Sequence, residues 1–383
     1  MFTTLYSYLF DNNLINYLKS INTINTNNIN YNKFYNILEF IPKSNDKITD
    51  KIYDNEDLIN IIHKFCINET TKKFIVSLSG GVDSMVLITI IKYLGYEVIG
   101  AHINYNNREE TLEEQKFLEN WCQYNDIKLY IKNIKDIKRS TCKRSDYETI
   151  TKNIRLDFYK DVMKEEEIET ILLAHHKDDI VENIFANVCR GRYILDLAVI
   201  KEKSIINNIN IMRPMIKFYK QPIYDFADKY QIPYFKDTTP DWSVRGKYRN
   251  KILPIIEDTF SKNVKENLIC LSVQSSEWND LLTREIINPF IKNMTINIDD
   301  YKSIIEFYIG KYQNYPVCFW NVIFMNIFNQ FGYGCPSRKA IQTFINSINK
   351  NQNSPYPYHI SLSMYCKCII QNGKINMTFN NKD

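Results

Sequence analysis

With 383 residues, 44% hydrophobic and 24% charged, the chain has the makeup of a folded soluble protein large enough for two or three domains. A formal net charge of +4 is too small to indicate a nucleic-acid partner by itself, and 27 tyrosines suit core packing as well as base stacking. Nine scattered cysteines with no C-x-x-C pair argue against a disulfide framework and against the usual spacing of a structural zinc or an iron–sulfur cluster.

Residues 1–55 form an Asn/Ile-rich extension with a helix expected around Leu5 to Leu18 and no chemistry assigned. The N-terminus lacks the basic start and compact apolar core of a signal peptide, and no apolar run reaches the length of a membrane span. A soluble, cytoplasmic protein with no membrane partner is the expectation. Asp57 to Phe65 spaces its apolar residues as a helix, and Phe74 to Leu78 is a short β-branched strand. Then comes Ser79-Gly80-Gly81-Val82-Asp83-Ser84, followed by a buried helix from Met85 to Leu94. The two glycines permit backbone angles and a close approach that a Cβ would block, and the helix N-terminus offers unpaired N–H groups to an anion. A phosphate chain fits this geometry best. Ser79 and Ser84 could add hydroxyl donors, while Asp83 caps the helix, orients the loop or holds a Mg²⁺ ion. The lysine of the G-x-x-x-x-G-K-S/T cradle is absent. The whole string resembles the SGGxDS signature of the PP-loop ATP pyrophosphatases, which split ATP into AMP and pyrophosphate.

Glu97 to Asn104 reads as a second buried strand, with His102 near its carboxyl end and Arg108 beyond; loop solvation and a place at the site are both open for these two. A helix from Leu112 to Tyr124 and a strand from Lys128 to Ile134 follow. Strands alternating with helices imply an α/β fold, a parallel sheet with helices on both faces and ligands at the carboxyl ends of the strands. Tyr147 to Tyr159 is an amphipathic helix carrying Glu148 and Arg155 two turns apart, a spacing that a solvated charge stripe would share. The strand Thr170 to Ala174 delivers His175, His176, Asp178, Asp179 and Glu182. Adjacent histidines point to opposite sides of a strand, against a zinc site. Asp179 and Glu182 share a helix face, suited to a cationic amine, a magnesium ion or simple capping.

An Asn/Ile-rich connection leads through Met212-Arg213-Pro214 to a helix from Gln221 to Tyr230. Arg245, Lys247, Arg249 and Lys251 crowd the run from Trp242 to Pro254, where cations oppose the helix dipole; this is the strongest local candidate for phosphate-backbone contact. The catalytic domain is expected over 56–256, a helical linker over 257–294 and a small α+β domain over 295–383. That last domain shows a helix near Ser337 to Ile348 and strands at Ile360 to Ile370 and Lys374 to Phe379.

In order, these pieces resemble the tRNA(Ile)-lysidine synthetases, PP-loop enzymes that convert a wobble cytidine to lysidine. The resemblance rests on Ser79 to Ser84, His102 through Arg108, Glu148 with Arg155, His175 to Glu182, Arg213-Pro214, Asp237-Thr238, Arg249-Asn250 and Pro254. It implies a Rossmann-like fold with ATP at Ser79, Gly80, Gly81, Val82, Asp83 and Ser84, and Mg²⁺ near Asp83. It also implies Arg155, Asp179 and Glu182 as catalytic residues; His102, Arg108, Glu148, Arg213 and Arg249 are among its matched positions and, with Arg245 of the basic run, are expected on the substrates. Those substrates would be tRNA and free lysine; no protein partner is called for beyond a second copy of the chain in a homodimer. The chain departs from the family where Asp237-Thr238-Thr239-Pro240-Asp241 replaces Asp-x-Ser-Asn and where Asn183 follows Glu182 in place of Thr. A PP-loop tRNA 2-thiolase is the nearest alternative, and its relatives carry C-x-x-C pairs. A non-catalytic RNA-binding relative would have lost the loop or the carboxylates.

Overall fold

The computed structural model describes residues 38–39, 57–69, 72–106, 111–134, 144–198, 200–235, 243–298, 302–351 and 354–380. The helix expected at Leu5 to Leu18, Arg108 and the stretch from Asp237 to Asp241 lie outside the described residues. The chain divides into two compact units, Met1–Asn187 with Val199–Ile269, and Val188–Ala198 with Cys270–Asp383. Among the described residues no helix is long and apolar enough to cross a membrane.

The first unit begins with β1 (Leu38–Glu39) and α1 (Asp57–Ile67), then alternates β2 (Lys73–Ser77), α2 (Val82–Tyr93), β3 (Glu97–Asn104), α3 (Thr111–Tyr124), β4 (Lys128–Asn133), α4 (Arg144–Glu165), β5 (Thr170–Leu172) and α5 (Lys177–Cys189). The hairpin β6 (Lys203–Ile206) and β7 (Ile209–Met212), the helix α6 (Lys220–Tyr230) and β8 (Tyr234–Phe235) follow. The sheet order is β4-β3-β2-β5-β7-β6, parallel except for β6 at the edge, and β8 pairs with β1. This is the parallel, helix-covered sheet that the strand–helix alternation predicts.

Alternation along the central strands feeds two cores. Phe74 and Val76 of β2 join α1, α2, α3 and α6 on one face, whereas Ile75, with Ile99 and Ile171 beside it in register, meets Leu156, Tyr159 and Val162 of α4 on the other. Burial on both faces explains why these strands read as unbroken apolar runs. From β2 the chain moves outward to β3 and β4, then crosses back to β5 on the other flank of β2. The crevice at this reversal lies outside the carboxyl ends of β2 and β5, the place where open α/β sheets bind ligands. The loops leaving those two strands and the first turns of the helices that follow carry Ser79 to Ser84 and His175 to Glu182.

The Asn/Ile-rich connection contains β6 and β7, strands that its composition does not predict. Asn207 and Asn208 turn between them with φ of 49° and 62°, the left-handed pair that a tight hairpin requires.

In the second unit β9 (Thr295–Ile298), β10 (Lys302–Tyr308), β11 (Tyr358–Ser363), β12 (Cys366–Gln371) and β13 (Lys374–Asn380) form an antiparallel sheet ordered β11-β12-β13-β10-β9. Helices Val317–Gln330 and Arg338–Asn351 lie between β10 and β11 in sequence, and Trp320, Phe324, Phe328, Phe344 and Phe379 fill the core. The single strand expected at Ile360 to Ile370 is thus two strands. The break falls at Met364-Tyr365, exposed residues whose apolar character carries no turn signal.

Candidate active site

The loop between β2 and α2 is tied to itself. The Ser84 hydroxyl donates to the Gly81 carbonyl (3.0 Å) and accepts from the Ser79 amide (3.1 Å), and the Ser79 hydroxyl accepts from the Gly81 amide (3.3 Å). Ser84 is buried and holds the loop's shape, while Ser79 is exposed. Gly80 has a φ of +83°, and a Cβ there would lie 2.7 Å from the Phe235 ring. Gly81 is different. It caps α2 with ordinary extended angles and no side-chain acceptor, and a Cβ on it would meet only the Ser79 hydroxyl, at 3.5 Å. The space beside Gly81 at the uncapped start of α2 is thus almost free of protein atoms, a setting that suits phosphate oxygens at a helix N-terminus. Below the loop, buried His102 bonds through Nδ1 to the Leu78 carbonyl at 2.9 Å, and burial lowers its pKa. It supports the strand end that launches the loop.

Beyond β5, one imidazole joins loop and carboxylates. His176 is 1% exposed, and its Nε2 lies 3.6 Å from Asp83 Oδ1 and 3.5 Å from Asp179 Oδ2. Its Nδ1 lies 3.7 Å from Asp178 Oδ2. The His176 amide donates to Asp179 Oδ2 at 3.1 Å. His175 points the other way, accepting at Nδ1 from Arg213 Nε at 3.0 Å. Arg213, expected on a substrate, is 4% exposed, and its Nη1 donates to the Lys201 carbonyl and the Ser204 hydroxyl.

Asp179 and Glu182 are both buried, one helical turn apart on α5. Arg249 reaches them together, Nε to Glu182 Oε2 at 3.1 Å and Nη2 to Asp179 Oδ1 at 3.4 Å, and Arg245 Nε lies 2.7 Å from Glu182 Oε1. Their place in a basic run predicts a nucleic-acid backbone for these arginines; the structure puts them on the carboxylates. The cause is local. Ser243 caps the helical turn Val244–Lys247 by accepting from the Gly246 amide, Phe185 of α5 packs on Tyr248 at 5.0 Å between centroids, and a four-residue spacing turns Arg245 and Arg249 to one side. Lys247 and Lys251 stay exposed. Burial raises the Asp179 carboxyl, but His176 and His175, the His176 amide and Arg245 hold it below its usual range overall.

Arg155 is exposed on α4, one turn before buried Tyr159, whose hydroxyl meets Ser77 Oγ at 2.6 Å at the end of β2. The Arg155 charge is felt at His175. Glu148 is exposed two turns earlier on the same helix.

For a magnesium ion, Asp83 is the fitting donor: its Oδ1 is buried with no hydrogen-bond partner at the edge of the phosphate loop. Among the described residues no cluster of three or more His, Cys, Asp and Glu could hold a metal. Remaining ligands would come from phosphate oxygens and water.

Burial lowers the pKa of His175 from 6.5 to about 4, opposed by Asp179 and helped by Arg213, Arg245 and Arg155. The unfolded chain takes up a proton near 6.5 while the folded one stays neutral to about 4, so stability is lost as pH is lowered through that window. The expected slope from this group is about 1.4 kcal/mol per pH unit. Asp179, with its folded pKa depressed, contributes stability that is lost only at more acid pH. Urea unfolding of wild type and His175→Gln between pH 7 and pH 4 measures this; equal slopes for the two proteins contradict it.

Residues 54–256 match the PP-loop domain family. The match covers more than half of the chain, which belongs to that family. Among curated proteins the chain is similar to the tRNA(Ile)-lysidine synthase of Chlamydia muridarum, 25% identical over 249 residues that make up 64% of this chain and 76% of that one. Proteins of the same name in Mycoplasmopsis pulmonis and Enterococcus faecalis are 35% and 30% identical, over 47% and 48% of this chain and 61% and 40% of theirs. The PP-loop membership expected from Ser79 to Ser84 holds. Among solved structures the chain is similar to the U34-tRNA thiolase NcsA of Methanococcus maripaludis with its 4Fe–4S cluster, at 17% identity and a TM-score of 0.46, covering 60% of this chain and 78% of that one.

Proposed function

We propose that this protein is a ligase that uses ATP to join free lysine to C2 of the wobble cytidine of an isoleucine tRNA. The observation that carries the proposal is the placement of an anion cradle and a buried carboxylate pair on either side of one imidazole, His176, at the switch point of the sheet. The names of the relatives supply the substrate class.

The C2 oxygen is a poor leaving group, and ATP supplies the activation that lets it depart with AMP. Gly81 and the first amides of α2 hold the phosphates, and Asp83 would bind Mg²⁺ beside them. Arg155, exposed near the ends of β2 and β5, steadies charge on the α-phosphate. Free lysine has an amine pKa of about 10.4, so about one molecule in a thousand is nucleophilic at neutral pH. Asp179 and Glu182 hold the ammonium and take its proton. In the resting protein Arg245 and Arg249 compensate these carboxylates, and the ammonium takes over that part as it enters. Arg245, with a side chain 58% exposed, is the partner freer to swing toward a tRNA phosphate. ATP-dependent entry of labelled lysine into acid-precipitable tRNA tests the proposal, and label that stays free at full ATP and tRNA counts against it.

The basic run then splits by role. Lys247→Ala and Lys251→Ala are expected to weaken tRNA binding and to flatten its log–log salt dependence by about one unit for each phosphate that is no longer neutralised. Arg249→Gln should leave that slope in place while slowing the lysine step. It should also cost about 1–3 kcal/mol of stability, below the ~3–5 of a fully buried pair because the arginine is partly exposed. Binding isotherms at several salt concentrations decide. A flattened slope with an intact lysine step in Arg249→Gln would put that residue on the tRNA after all.

A further inference from the structure

The phosphate loop has no lysine of its own and carries an aspartate in the first turn of its helix. A polyphosphate seated at Gly81 would meet that negative charge at close range. Among the described residues two basic side chains come within ion-pair range of Asp83, buried His176 and Lys220. Lys220 Nζ lies 3.4 Å from Asp83 Oδ2, and its side chain is 21% exposed, so the ammonium is placed yet reachable from the crevice.

The position is built. Lys220 is the first residue of α6, and its amide donates to Asp178 Oδ2 at 2.8 Å. Lys265 Nζ holds the other Asp178 oxygen at 3.0 Å, and the Lys177 amide donates to the Phe218 carbonyl at 2.7 Å. The start of α6 is thereby fastened to the start of α5, the helix that carries Asp179 and Glu182. The Lys220 stem lies along Tyr224, with Nζ 5.4 Å from the ring centroid.

Resting on the ATP-binding reading of the loop, we propose that Lys220 supplies the cation on the outer phosphates of ATP, and on pyrophosphate as it leaves. It does from a distant helix what a loop lysine does elsewhere. The α-phosphate and the nucleoside lie outside its part. A lysine that only neutralises Asp83 would affect every ligand of the loop alike, which separates the two roles.

The test is calorimetric binding of ATP, pyrophosphate and AMP to wild type, Lys220→Gln, Lys220→Met and Lys220→Arg, each checked for wild-type melting. In the Gln and Met variants ATP and pyrophosphate should bind about 10- to 100-fold more weakly, as expected when a single charge-assisted hydrogen bond is removed, with AMP within about 2-fold of wild type. The Met variant keeps the stem over Tyr224, and the Arg variant should recover most of the loss. Equal weakening of AMP, or no change for any ligand, overturns the assignment. If wild type itself binds no ATP, the reading of the loop fails as well, and that result is distinct from the other two.

Discussion

Gly81→Val is expected to fold as wild type and to lose pyrophosphate release by about 10³-fold or more, since the isopropyl group would occupy the cradle in which the phosphates must be aligned. Folding is spared because Gly81 has extended backbone angles, φ −73° and ψ 160°, that valine adopts readily. The nearest protein atom to its Cβ is 3.5 Å away, so the side chain displaces ligand and not protein. Gly80→Ala is the complementary control. There the φ of +83° and the Phe235 ring at 2.7 Å make any side chain strained, and the Phe235 amide bonds the Gly80 carbonyl at 2.9 Å. A stability loss of about 1–3 kcal/mol is expected at Gly80 and nearly none at Gly81. Thermal melts and a pyrophosphate assay on the two variants check both statements. Unchanged ATP turnover in a folded Gly81→Val protein removes the phosphate cradle from the mechanism.

Asp179→Asn and Glu182→Gln are expected to divide the reaction. Each amide keeps the shape of the pocket but loses the charge that draws an ammonium and the base that takes its proton. The lysine-dependent step should slow by about 10²- to 10⁴-fold, while transfer of AMP to tRNA continues. Adenylated tRNA should therefore accumulate, and high lysine should rescue the rate only where binding is the main loss. The arginines sharpen the expectation. With a carboxylate gone, Arg245 and Arg249 are left with excess positive charge beside His175 and His176, which opposes a cationic substrate further. Loss of AMP transfer with unchanged lysine affinity would make the carboxylates ligands of magnesium or ATP.

The parts of the site that are legible in the sequence are contiguous. Ser79 to Ser84 is one string, and Asp179 and Glu182 fall in a single helical turn. The strands that present them announce themselves because both of their faces are buried. Partnerships across the chain are not legible. Arg249 lies 67 residues from Glu182 and Lys220 lies 137 from Asp83, and nothing in the spacing of a charge names its counterion at such separations. A run of cations against a helix dipole does need compensation, but phosphate and buried carboxylate provide it equally well. Arg213 shows the same limit, since an arginine beside a strand end reads alike whether it meets a substrate or donates to a histidine. Asn207-Asn208 does carry a turn signal, hidden in an Asn-rich stretch, whereas Met364-Tyr365 carries none.

Single-turnover transfer of α-labelled phosphate from ATP to an isoleucine tRNA by wild-type protein, first without and then with lysine, tests the two-step account most directly. Without lysine, label should collect on the tRNA at the wobble cytidine as AMP. On adding lysine it should leave as free AMP while the nucleoside gains the mass of lysine less water. Label that never reaches the tRNA, or that stays there when lysine is added, would contradict the account.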